Sequence, residues 1–77
     1  MARARTEEER IDGAERRLEE AREVARVAIE EAVRAMLPGA RVLPRELARV
    51  AHEAQMALAW VYTHARVLED ERHALPA

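Results

Sequence analysis

The sequence predicts an all-α fold, an antiparallel hairpin of two long helices, on three observations. Apolar and small residues step by three and four without a break through both halves of the chain. A single breaker pair, Pro38-Gly39, divides those halves. Charged residues make up 36% of the chain and aromatic residues only 3%, which suits long helices meeting along a narrow seam better than a globule with a thick core.

The first helix is expected from about residue 6 to residue 37. Thr6 ahead of Glu7, Glu8 and Glu9 is a capping box, in which hydroxyl and carboxylate satisfy amides that the first helical turn leaves unpaired. Gly13 costs a helix interior about 1 kcal/mol relative to alanine, yet the pattern runs straight through it. Ile11, Ala14, Leu18, Ala21, Ala25, Ala28, Ala32 and Ala35 form the seam. Glu19–Arg22, Glu23–Arg26 and Glu31–Arg34 stand three apart and Glu30–Arg34 four apart, so these charges are neighbours on the solvated side of the helix. The helix stops where Pro38 turns the preceding residue away from helical geometry and Gly39 offers a positive φ.

Residues 38–44 are read as the turn, with Val42 and Leu43 covering the end of the bundle. The second helix is expected from about residue 44 to residue 73, before Pro76. Pro44 has no amide to leave unpaired in the first turn, and Glu46 faces the positive end of the helix dipole. Its stripe is taken as Leu47, Val50, Ala54, Leu58, Val61, Ala65 and Leu68. Antiparallel pairing of residues whose numbers sum to about 82 sets Ala14 near Leu68, Ala21 near Val61 and Ala28 near Ala54. One domain then spans residues 1–77, with 1–5 and 74–77 expected to fray.

Helix two carries a second apolar strip, Met56, Trp60 and Val67, well over a right angle from the first. Residues 54–65 contain no formally charged side chain, and a helix that is apolar nearly all round is normally buried all round. On helix one, Val24 and Val27 similarly lie off the seam. A chain of 77 residues is also short for a self-sufficient core. Met56, Trp60, Val67, Val24 and Val27 are therefore the candidate interface. The expected assembly is a homodimer forming a four-helix bundle, a different protein partner being the other way to cover the same strip.

Composition narrows the function further. The chain has no cysteine, hence no disulfide, no thiolate metal site and no cysteine nucleophile, and a reducing cytoplasmic setting is expected. No stretch is long and apolar enough to suggest a membrane partner. All thirteen basic residues are arginine, set against fifteen acids for a net charge of -2 with the signs interspersed. That pattern argues against nucleic acid, for which only Arg3 and Arg5 form a local basic excess.

Catalytic constellations are not found. Serine is absent, and Thr6, Thr63 and Tyr62 have no base at an informative spacing, so no enzymatic activity and no cofactor are expected. His52, His64 and His73 point in three directions on a helix. The string Glu69-Asp70-Glu71-Arg72-His73 resembles the Glu-x-x-His ligand motif of ferritin-like di-iron helices, with Asp70 in place of the glutamate. The resemblance implies a metal-binding half-bundle using Asp70 and His73, although helix one offers no matching buried glutamate, Glu30 and Glu31 lying near the opposite end. The reading carried forward is a non-enzymatic protein–protein interaction module, an adaptor, co-chaperone or regulatory subunit acting through a helical surface. A ferritin-like metal site and a nucleic-acid-associated regulator stand as alternatives.

Overall fold

The computed structural model describes residues 6–74, and over these the chain is two helices, α1 (Glu7–Met36) and α2 (Pro44–His73), packed against each other with no strand among the described residues. The fraying expected of 1–5 and 75–77, the basic pair Arg3 and Arg5, and Pro76 lie outside the described residues.

Local chemistry sets the helix ends. The Thr6 hydroxyl accepts from the Glu9 amide at 3.2 Å and donates to the Glu9 carboxylate at 3.2 Å, while three acids in the first turn face the positive end of the dipole. The helix runs unbroken through Gly13. At its far end Leu37 is extended, as the residue before a proline should be. The Ala40 amide then donates to the Leu37 carbonyl at 3.1 Å around Pro38 and Gly39, and Gly39 has φ 87°. Proline followed by a positive-φ glycine is the chemistry of a type II turn. Pro44 opens α2 without any side-chain cap, and the Ala74 amide closes its last turn onto Asp70. At the turn Val42 is half-buried, whereas Leu43 is exposed and covers little of the bundle end.

The α1 seam lies where the sequence places it. Ala14, Ala21, Ala25 and Ala32 are buried, and Ile11, Leu18, Ala28 and Ala35 are half-buried between them. The α2 seam differs from expectation. Val50, Ala57 and Leu68 are its buried residues, with Leu47, Ala54, Val61 and His64 half-buried, whereas Leu58 is 51% exposed and Ala65 is exposed as well. The seam thus runs Leu47, Val50, Ala54, Ala57, Val61, His64, Leu68, and α2 is rotated by roughly half the angle between successive residues from the orientation that Leu58 would demand. This rotation leaves Trp60 and Leu58 exposed on opposite sides of the seam. It also presents the small Ala57 to an alanine-lined partner, so the backbones can approach closely.

Three interhelical ion pairs fix the register. Arg10–Glu71 (3.4 Å) and Arg72–Glu15 (3.2 Å) lie toward the open end, and Arg49–Glu31 (3.2 Å) lies toward the turn. Their residue numbers sum to between about 80 and 87, close to the pairing expected from loop length. These are exposed pairs, so they specify alignment more than they stabilise it.

The hairpin is a slab about one helix thick, 14 Å in its thinnest direction. Among the described residues five of the seven buried apolar side chains are alanines, and no large side chain is fully enclosed. The chain exposes 6375 Å², whereas a compact monomer of 8.8 kDa exposes roughly 4,800 Å². A domain is normally two packed layers around a core. This one is a single layer.

Candidate interaction surface

The slab has two broad faces, and the seven-residue rows beside the seam sort the side chains between them. On one face α1 contributes Arg10, Arg17, Val24 and Glu31, with Gly13, Glu20, Val27 and Arg34 in the next row. The matching rows of α2 are Glu46, Glu53, Trp60 and Val67, then Arg49, Met56, Thr63 and Asp70. All five candidate interface residues, Val24, Val27, Met56, Trp60 and Val67, therefore belong to this face, and all are exposed.

Between the helices the face is grooved. A depression of about 510 Å³ is bordered by Val24 and Ala28 of α1 and by Met56, Ala57 and Trp60 of α2, with His52 and Glu53 at its rim. It continues past Val27 and Ala28 toward Glu31, and in the other direction past Val24 and Trp60 toward Arg17 and His64. Val24 borders all three stretches, so Val24, Val27, Met56 and Trp60 form one continuous apolar surface. Val67 sits two turns beyond Trp60 on the same row, outside the groove itself. Sequence alone placed the α1 and α2 strips on separate helices; the rotation of α2 brings them together.

Trp60 is 59% exposed, and its ring is held edge-on to the His64 imidazole with centroids 4.9 Å apart and planes at 74°. His64 occupies a seam position, and its Nδ1 is enclosed without a hydrogen-bond partner among the described residues. The aromatic pair braces Trp60 from within the chain, limiting the entropy the indole has left to lose when its outer face is covered.

Charge frames the groove unevenly. At the turn end, Arg49 gathers Glu31, Glu46 and Glu53, so one guanidinium serves three carboxylates. Hydrogen bonding to Arg49 holds the Glu46 carboxyl below the usual carboxylate range, and hydrogen bonding to Arg26 does the same for Glu23. The Arg26 and Arg49 guanidiniums are pushed upward by the same hydrogen bonds. Of the spacings noted in the sequence, Glu19–Arg22 and Glu23–Arg26 form. Glu30 and Glu31 do not pair with Arg34; Arg26 takes Glu30 at 2.8 Å and Arg49 takes Glu31. The Arg34 guanidinium and the Asp70 carboxylate are left without an ion pair among the described residues, at opposite ends of the same face.

The opposite face was not anticipated. Ile29, Val33 and Met36 of α1 and Leu58 and Tyr62 of α2 are exposed there. Tyr62 accepts a hydrogen bond from Arg66 at 3.1 Å, which also sits 5.9 Å from the ring centroid. The missed signal was Leu58: assigned to the seam, it hid the strip beside it.

Asp70 and His73 are exposed near the end of α2, and no group of three His, Asp or Glu side chains among the described residues is arranged to hold a metal ion. No helix among the described residues is long and apolar enough to cross a membrane. Comparison with protein-family models, with curated proteins and with solved structures finds no match.

Proposed function

We propose that this chain is half of a helical bundle and works, without catalysis, as a protein–protein interaction module of the adaptor, co-chaperone or regulatory-subunit kind. Its working surface is the groove face of Val24, Val27, Met56, Trp60 and Val67, and the occupant of that face is a second copy, completing a homodimeric four-helix bundle. The observation that carries the reading is the continuous apolar surface around a braced, 59% exposed Trp60 on a slab one helix thick. Soluble monomers rarely leave such a surface uncovered, and buried tryptophan is enriched among the residues that dominate interface energies.

Area supports the same view. The chain exposes roughly 1,600 Å² more than a compact monomer of its mass, and a standard interface takes about 800 Å² from each partner. The cysteine-free composition suits a reducing cytoplasm. Light scattering of the wild type and of Trp60→Arg tests the proposal: the wild type should have the mass of two chains and the variant the mass of one, both helical. A wild type that is a folded single chain at micromolar concentration would overturn it.

A further inference from the structure

The charges that frame the groove specify how a second copy sits on it, an inference that rests on the dimer reading above. Two face-to-face arrangements of identical hairpins keep every adjacent helix pair antiparallel. In one, the two-fold axis runs along the helices, so that α1 of each copy lies on α2 of the other and both turns are at the same end. In the other, the axis crosses the helices, so that α1 lies on α1, α2 lies on α2 and the turns are at opposite ends.

The hairpin's own register decides what meets what, because residues whose numbers sum to about 82 share a level. With turns together, Val24 lies level with Met56 and Trp60 of the second copy. Arg10 then lies level with Asp70 of the second copy, Arg34 with Glu46, and Glu31 with Arg49. Arg34 and Asp70, which form no ion pair among the described residues of the single hairpin, each meet the opposite sign. Arg34 lands on the turn-end cluster where three carboxylates share one guanidinium, the place with negative charge to spare. With turns apart and the apolar patches superposed, Arg34 instead approaches Arg17 of the second copy, and Asp70 approaches Glu46. Like charges across an interface select against that register.

We infer that the chain forms a two-fold dimer with both turns at one end, in which Arg10 pairs with Asp70, and Arg34 with Glu46, across the interface. The test exploits the absence of cysteine. Val24→Cys and Met56→Cys chains are oxidised separately and as an equimolar mixture, after circular dichroism has shown each to be helical. The inference expects a disulfide-linked pair of one chain of each kind in the mixture and little cross-linking of either variant alone. Homodimeric cross-linking of Val24→Cys alone would mean that α1 lies on α1 and would overturn it. A wild-type dimer in which no combination cross-links would place the interface on the Leu58 face and would also overturn it. A wild type that is monomeric by light scattering would remove the dimer reading itself, a separate failure.

Charge complementation supplies an independent measurement. Arg10→Glu and Asp70→Arg each put like charges at one level of the dimer, while placing an acid near a helix start and a base near a helix end, where the dipole favours them. Each variant should dimerise at least tenfold more weakly than the wild type, and their mixture should form a heterodimer within about threefold of wild-type affinity. A mixture no tighter than the separate variants would contradict the pairing.

Discussion

Replacing Trp60 with alanine separates the contribution of the groove face to assembly from its contribution to folding. The indole is 59% exposed in the single hairpin. A tryptophan presents up to about 250 Å², so roughly 150 Å² remains for a second layer to cover. At about 25 cal/mol per Å² that is close to 4 kcal/mol for complete coverage, and about 2 kcal/mol if half the area is covered. Both copies lose it, so the dimer should weaken by about 4 kcal/mol in total at half coverage, roughly a thousandfold in Kd. The edge already packed inside the hairpin is the smaller share, and alanine's better helix propensity offsets part of that loss. Sedimentation equilibrium gives the Kd and circular dichroism the helicity, with Leu58→Ala, on the opposite face, as the control. Trp60→Ala should stay helical and lose the dimer, and Leu58→Ala should keep it. If Trp60→Ala dimerises like the wild type, the groove face is not the interface; if it unfolds outright, Trp60 belongs to the core of the single hairpin.

Three further outcomes follow from the packing and the charges. Ala57→Leu should destabilise folding by about 1–3 kcal/mol, because a larger side chain at a buried seam position facing alanines forces the helices apart; Leu58→Ala should cost less, a ranking that paired denaturant melts can check. Gly13→Ala should stabilise by about 0.5–1 kcal/mol, since the helix is continuous there and the nearest atom a methyl would meet is the flexible Arg17 guanidinium at 3.4 Å; a lowered melting temperature would show that the second copy needs the space. The Glu46 carboxyl is held low by Arg49, so its folded-state pKa lies below its unfolded value, and the stability it contributes is present above the ordinary carboxylate range and lost as pH falls through the lowered folded value. An acid titration of helicity should therefore shift its low-pH limb upward in Arg49→Ala and not in Arg41→Ala, whose loop arginine has no ion pair among the described residues.

The two helices, their ends and the α1 seam were legible because local chemistry decides them. Thr6, Pro38, Gly39 and Pro44 act through their own backbone and nearest neighbours, and α1 offers only one uncharged row of small residues. The rotation of α2 was not legible. Ala54–Leu58–Val61–Ala65–Leu68 and Ala54–Ala57–Val61–His64–Leu68 both step by three and four, and hydrophobicity alone favours the first. The second prevails in the fold, where the buried Ala57 permits close approach to an alanine seam, a property of the packed pair rather than of either helix. The five candidate interface residues could be picked out individually from the sequence, but the joining of Val24, Val27, Met56 and Trp60 into one groove depends on that rotation. The Leu58 face was missed for the same reason.

Whether the hairpin is half of a bundle is decided by the mass of the wild-type chain in solution, measured by sedimentation equilibrium across about two decades of micromolar concentration together with thermal melts at the same concentrations. A half-bundle completed by its own copy should weigh two chains, dissociate only on dilution, and melt at a temperature that rises with concentration. A helical species of one chain mass that melts cooperatively at the same temperature throughout would contradict it.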